Sequence, residues 1–520
     1  MNVAKRVPPA RRPAARTLAV GIALPFVAGA LAVLGFAPFS LWPVPIVSLA
    51  LLFAAWRRSE SALQAGLSGF AFGLGYFLAG VSWVFVSLHT FGDMPAVLAA
   101  FATFLFGAYL AIFPAAAGAI ALRLAPRDDA WRMAAAAGSF VAMEWLRGTL
   151  FTGFPWLTMG TSQVPAGPLV GWAPVVGAYG VSLAMALVAA GAVVALSRHG
   201  AARVRLACVA LVVALAAGGL VAGRIAWTQP VGTPVRVSLL QGNVPQQLKW
   251  EDSVRGQILV AYRRMIMAAP PGIVIVPETA LPAFLDELPS GYLESLRTHA
   301  AQAGQDILLG TVERDGPREN SHYFNSLVRI TGEGAPSYRK RHLVPFGEFI
   351  PPGFRWVLAI LHIPMSDFDS GKPRQAPLVA QGVPLGVAIC YEDIFGEEVI
   401  EALPQARLLV NVSNDAWFGD SLAADQHLQA SQMRALESGR WMVRSTNTGA
   451  SAAIDEQGRV TERLPPFIAG TLVAMAQPRE GSTPYVRTGN ASVLVLLAAL
   501  LGLVAWHGAR RTRGTRREVV

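Results

Sequence analysis

Eight apolar runs, with basic clusters on alternate gaps between them, constrain this chain more than any other feature of its sequence. The runs lie near residues 17–36, 41–56, 65–88, 95–122, 131–149, 169–196, 204–223 and 489–507. Each is long enough, or nearly so, to cross a hydrocarbon layer about 30 Å thick; the second is short. Lys5, Arg6, Arg11, Arg12 and Arg16 precede the first run, and Arg57 and Arg58 follow the second. Arg123, Arg127 and Arg132 follow the fourth, and Arg198, Arg203 and Arg205 the sixth. Arg510, Arg511, Arg513, Arg516 and Arg517 close the chain, whereas loops 37–40, 89–94 and 150–168 hold no Lys or Arg. Basic residues stay on the cytoplasmic side, so one topology fits all five clusters. Both termini are then cytoplasmic, and the long insert 226–488 faces outward.

Composition agrees. Hydrophobic residues make up 53% of the 520 and charged residues only 15%, against about 25% charged in soluble domains. The net charge of +10 sits beside apolar runs, where it orients a membrane protein, and not in the basic stripe of a nucleic-acid binder. The first run exceeds the usual apolar core of a cleaved signal peptide, and further spans follow it. Glu144 and Arg147 lie three apart near the end of the fifth run. That spacing suits an interfacial ion pair on one helical face, or a polar anchor for a lipid headgroup.

From about Pro234 the pattern changes to short β-rich runs alternating with helical segments. Residues 235–240, 273–277, 307–312, 326–330, 385–390, 407–413 and 471–476 read as strands. Residues 251–268, 290–303 and 424–439 read as helices. The mixture predicts a layered α/β domain with buried strands. No metal-ligand spacing, Gly-rich phosphate loop or GxSxG elbow occurs, so no metal or cofactor is expected.

Three residues sit where chemistry is favoured. Glu278 follows the apolar run IVIVP, Cys390 ends LGVAIC, and Lys340 lies in SYRKRHLVPFGE. Residues at the ends of buried strands are held rigidly at the rim of a sheet, where α/β folds place their sites. Only Lys5, Lys249, Lys340 and Lys372 are lysine, and Lys340 stands between Arg339 and Arg341. A generic cation was already present there, so the compact ammonium points to a specific task. Cys208 and Cys390 are the only cysteines. They are too separated in context to pair, and a free cysteine is often a small buried hydrophobe. Together the three residue types can run acyl transfer. A carboxylate takes the thiol proton, an ammonium favours the thiolate and holds the tetrahedral oxyanion, and the sulfur attacks an ester or amide.

VPETA, YRKRHLVPFGEFIP and ICYED resemble the Glu-Lys-Cys triad segments of the nitrilase superfamily, spaced by 62 and 50 residues. With the membrane frame, and with QGNVPQQLKW and NVSNDAWFGD, the chain resembles the apolipoprotein N-acyltransferase family over nearly its whole length. The resemblance implies a membrane protein of eight transmembrane helices with an α-β-β-α sandwich domain outside. Its divisions are 1–225 with seven spans, 226–488 as a periplasmic catalytic domain, and 489–520 with the last span and a basic tail. It implies Glu278 as general base, Lys340 as oxyanion stabiliser and Cys390 as nucleophile. Glu348 and Glu392 match supporting acids that hold Lys340 and tune the cysteine. Tyr391, Trp250, Trp417 and Arg440 match positions linked to activity or substrate handling, although packing for the tryptophans and an ion pair for Arg440 are equally simple roles. The implied reaction moves a phospholipid acyl chain through a Cys390 thioester to the amine of a diacylated apolipoprotein. The setting is the bacterial inner membrane, the enzyme a monomer. The alternative is a membrane-anchored carbon-nitrogen hydrolase with water as acceptor. Residues 345–375 carry the apolar stretch FRWVLAILHI at 354–363, which predicts a lid touching the membrane.

Overall fold

The computed structural model describes residues 15–517 apart from 126–128, 198–200, 250, 318–320, 333, 352 and 354–366. Trp250 and the apolar stretch of the expected lid lie outside the described residues. Helices stand at each of the eight apolar runs, from Ala15–Ala32 to Ala491–Arg517. Among the described residues five are long and apolar enough to cross a membrane: Ala62–Gly80, Ala96–Leu124, Val170–Ala195, Ala202–Ala222 and Ala491–Arg511. The other three depart for visible reasons. Pro43–Arg58 has only 16 residues, the first helix contributes the short apolar stretch Gly21–Gly35, and Asp129–Arg147 carries buried Arg132, Glu144 and Arg147.

Without a hydrophobic drive between helices in lipid, close approach depends on small residues. Gly69 and Gly73 let Ala62–Gly80 pack onto Pro114 and Ala111, and Gly75 packs against the Phe26 carbonyl. The last helix returns to this bundle, with His507 stacked on Trp131 at 4.4 Å between ring centroids.

Among the described residues the α/β domain is built around two six-stranded sheets, with a two-stranded one beside them. In the first, Val235–Gln241, Gly272–Ile275 and Gln305–Asp315 run parallel, with antiparallel strands at both edges. In the second, Val383–Ile389, Leu408–Ser413 and Met442–Thr446 run parallel, again with antiparallel edges. Their inner faces share one core containing Val237, Ile275, Leu308, Ile389, Val410 and Val443. Helices Asp252–Ala268 and Tyr292–Ala303 cover the first sheet, and Ala423–Ser438 covers the second. The result is the α-β-β-α sandwich. Burial on both faces explains the near-continuous apolar runs of the central strands.

Helix Ala423–Ser438 is buried along almost its whole length because it serves two layers. Its inner face meets the sheet, while Met433 and Leu436 join the core of the membrane helices. Polar bonds stitch this junction. Trp156 Nε1 donates to Gln426 Oε1 at 2.7 Å, Ala37 N to Gln429 Oε1 at 2.9 Å, and Ala178 N to Glu437 Oε1 at 2.6 Å.

Glu144 and Arg147 do something other than bridge each other. Glu144 Oε1 accepts from Met159 N at 2.8 Å. Arg147 donates to the carbonyls of Phe154 and Trp156. A loop turning back on itself leaves backbone groups that need partners, and this pair supplies them on both sides of residues 154–159.

Candidate active site

Parallel strands of both sheets deliver their C-terminal ends to one place. Glu278 follows Gly272–Ile275 by three residues, and Cys390 directly follows Val383–Ile389. Cys390 has φ +53°, in the left-handed region, and opens the short turn Cys390–Ile394. A side chain held in such an elbow is thrust out of the sheet plane, and the strain is retained only where surrounding bonds enforce it.

Those bonds are present. The Cys390 carbonyl lies 3.0 Å from Asn411 Nδ2 and 3.2 Å from His427 Nε2. Ile389 N donates to Glu392 Oε2 at 2.7 Å. Glu392 Oε1 accepts from the backbone N–H of Arg341 at 2.7 Å and of His342 at 3.1 Å. It therefore ties the segment after Lys340 to the turn that Cys390 opens. Burial pushes its carboxyl up to about 7, against the pull of these N–H donors and Lys340.

Lys340 and Glu278 meet at 3.2 Å between Nζ and Oε1, and both are buried. Lys340 Nζ also donates to Glu348 Oε1 at 2.9 Å. Asn325 Nδ2 bridges the two carboxylates, at 2.7 Å from Glu278 and 2.9 Å from Glu348. The backbone N–H of Asn414 donates to Glu278 Oε2 at 2.8 Å. Gly310 makes room behind this group, since a Cβ there would lie 1.9 Å from the Pro277 carbonyl oxygen.

Burial opposes ionisation of Glu278, but Lys340, Asn325, Lys249 and the Asn414 N–H outweigh it and hold the carboxyl below its usual range. Burial also disfavours the Lys340 ammonium, yet Glu278 and Glu348 more than compensate and keep it protonated. Burial pushes the Cys390 thiol up, Glu278 and Asp415 push it further, and Lys340 and Ser413 only partly offset this. The sequence suggested a thiolate favoured by its ammonium neighbour. In the buried arrangement that pull of Lys340 is outweighed, and the thiol stands above its usual range.

Behind the elbow lies a group that sequence reading missed. Asp393, Asp415, His427 and Arg444 have no exposed side-chain surface. His427 sits 2.8 Å from Asp393 and 3.1 Å from Asp415, and Arg444 bridges the same two carboxylates at 3.2 and 2.8 Å. Asn325, Asn414 and Lys249 were missed as well. Lys249 carried a signal in the scarcity of lysine, and Lys249 and Asn414 lie in the segments QGNVPQQLKW and NVSNDAWFGD, whereas Asn325 carried none.

The remaining predicted residues separate. Tyr391 OH donates to the Gly153 carbonyl at 2.9 Å, joining the elbow to the loop that Arg147 shapes. Trp417 meets Phe91 edge to face at 6.1 Å, and its carbonyl accepts from Ser87 Oγ at 2.8 Å. Both rest on the membrane helices. Arg440 lies at the opposite end of the parallel sheet, donating to the carbonyls of Ala406 and Gly481, so it is not brought together with Glu278, Lys340 and Cys390. A cavity of about 360 Å³ opens beside the elbow, lined in part by Tyr179, Arg341, His342, Phe395, Glu398 and Arg434; the three central residues do not line it.

Residues 28–191 match the family model of the apolipoprotein N-acyltransferase N-terminal domain, and residues 236–485 match that of carbon-nitrogen hydrolase. An apolipoprotein N-acyltransferase of Nitrosomonas europaea is 49% identical over 495 residues, 94% of this chain and 98% of that protein. One of Ralstonia nicotianae is 45% identical over 91% of each chain, and one of Methylococcus capsulatus 43% over 95% of each.

Proposed function

On the premise that this chain belongs to the apolipoprotein N-acyltransferase family, as its full-length relatives establish, we propose how its own residues carry out the transfer. The enzyme moves an acyl group onto an apolipoprotein amine, at a membrane. Glu278 takes the proton of Cys390 as the sulfur attacks the acyl ester of a glycerophospholipid. Negative charge gathers on the former carbonyl oxygen, within the field of the Lys340 ammonium. The tetrahedral intermediate collapses, Glu278 returns its proton to the leaving alkoxide, and lysophospholipid departs from a Cys390 thioester. The amine of a diacylglyceryl-cysteine N-terminus then attacks the thioester and loses a proton to Glu278. An amide forms, and the thiolate leaves and is reprotonated.

The single observation that carries this reading is the buried Lys340–Glu278 pair at 3.2 Å, tied by the Asn414 N–H to the end of the strand that pairs with the Cys390 strand. Glu348 holds Lys340, and Glu392 fixes the elbow. Tyr391 and Trp417 seat the elbow on the membrane helices, where a lipid ester can arrive without leaving the bilayer. We further assign eight spans, with residues 1–225 and 489–520 forming the membrane part and 226–488 the catalytic domain. The basic clusters support a periplasmic catalytic face and cytoplasmic termini in the inner membrane. Residues 345–375 serve as the lid, and one chain suffices for the site.

Intact-mass analysis of the purified protein tests the reading. Wild type incubated with phospholipid gains one acyl mass, removed faster by an acceptor lipopeptide amine than by water. Cys390→Ser gains none. An acyl mass that persists in Cys390→Ser, or none in wild type, overturns it.

A further inference from the structure

The turn Cys390–Ile394 is tied to the membrane helices at both of its ends. At the first, Tyr391 OH donates to the Gly153 carbonyl at 2.9 Å. At the second, Arg434 Nη1 donates to the Ile394 carbonyl at 2.9 Å, and Arg434 Nε lies 2.7 Å from Glu437 Oε2. The other carboxylate oxygen of Glu437 accepts from Ala178 N at 2.6 Å. Both side chains are buried. Residues 434 and 437 are three apart on helix Ala423–Ser438, so they stand on one face.

The membrane side of this link is a break in a helix. Ala173–Ala195 is interrupted at Gly177, with φ +69° and ψ −178°. Such a break frees the N–H groups that begin the next helical segment and puts the positive end of its dipole there. Glu437 meets that need with a carboxylate from the α/β domain. The surroundings are close-packed. A Cβ at residue 177 would lie 2.4 Å from the Tyr485 ring, and one at Gly396, just past the turn, would lie 2.5 Å from the Tyr485 hydroxyl and 3.2 Å from Glu437 Oε2. A buried ion pair is a weak source of stability, since desolvation offsets its attraction, so the gain here is geometric.

We propose that Arg434 and Glu437 are positioning residues, a strut that carries the placement of a broken membrane helix to the Cys390 turn and so sets where the sulfur meets an ester held in the bilayer. This rests on the reading of Cys390 as the nucleophile. One tie leaves the turn free to pivot, whereas ties at both ends fix its orientation. Tyr391 supplies the first tie and the strut supplies the second. Neither Arg434 nor Glu437 touches substrate, and no proton or group passes through them. Arginine suits the task because its planar fork serves a carbonyl and a carboxylate at once, which a single ammonium does less well.

The test uses the full chain in phospholipid nanodiscs, well below the melting point of each variant. Glu437→Gln keeps an acceptor for Ala178 N but removes the charge that faces Arg434. Arg434→Lys keeps the charge but not the fork. Thioester formation from bilayer phospholipid is followed by intact mass at several phospholipid mole fractions. Alkylation of Cys390 by iodoacetamide, which needs no register with the bilayer, is followed alongside by peptide mass. A misplacement of about 1 Å can cost about a hundredfold. The maximal acylation rate is therefore expected to fall about tenfold or more in both variants, with KM for phospholipid and the alkylation rate within about twofold of wild type. The double variant should be no slower than the slower single one, because a single link has been cut. Wild-type acylation in either variant overturns the proposal. So does an equal fall in alkylation, which a distorted turn or a loosened fold would produce. If Glu437→Gln does not fold, Glu437→Asp, which keeps the charge but is one methylene shorter, decides by the same two rates. Failure of the underlying reading is distinct, because it appears as acylation of Cys390→Ser.

Discussion

Replacing His427 by leucine removes the centre of a buried charge cluster while roughly conserving volume. In the native protein His427 and Arg444 both lie against Asp393 and Asp415, all four side chains without solvent contact. The variant leaves two buried carboxylates on one guanidinium. Removing one partner of a buried pair costs about 3–5 kcal/mol, and each kcal/mol lowers the midpoint of a domain of this size by about 2–4 °C. The apparent melting temperature in detergent is therefore expected to fall by about 6–20 °C. Burial and Arg444 lower the affinity of His427 for its proton, but Asp393 and Asp415 outweigh them, so the folded pKa lies above the ordinary value. Stability from a raised histidine is full below about 6.5 and is lost as pH climbs through the folded pKa. The gap between wild type and variant should be widest near pH 5.5 and should narrow on the alkaline side. Because the imidazole also contacts the Cys390 carbonyl, thioester formation should slow even well below the melting point. A midpoint within 2 °C of wild type, or a gap that widens with pH, refutes the reasoning.

Glu348→Gln removes one of the two carboxylates on Lys340. A charge-assisted hydrogen bond contributes about 1.5–3 kcal/mol, so single-turnover thioester formation should slow about tenfold to a hundredfold; an unchanged rate refutes its role. Gly310→Ala places a Cβ 1.9 Å from the Pro277 carbonyl oxygen, forcing the backbone beneath Glu278 to move. Overpacking costs about 1–3 kcal/mol, and acylation should fall with little change in KM; full activity shows that the turn gives way freely.

Much of the α/β domain was legible because its central strands are buried on both faces and read as apolar runs. Strand Met442–Thr446 was missed because Arg444 interrupts the pattern, and a fully buried arginine has no local signal: its partners Asp393 and Asp415 are 51 and 29 residues away. The helix Ala423–Ser438 was found, but its buried Gln426, His427 and Gln429 could not be explained until the membrane helices were seen to close over its second face. Arg440 matched a motif and proved to bind carbonyls at the far end of the sheet, since a motif fixes residue identity and not which end of a strand it occupies.

Hydrophobic length is a one-dimensional quantity, so the sequence alone showed where the apolar helices lie and where the α/β domain is inserted between them. Glu278, Lys340 and Cys390 were also visible, because each stands where local context makes its type unusual. Only the tertiary structure decided the burial around the thiol, the left-handed backbone at Cys390 and Thr279, and the partners of Lys249, Glu144 and Arg147. Those properties depend on burial and on groups tens to hundreds of residues apart, which meet only when the strands end at a common edge.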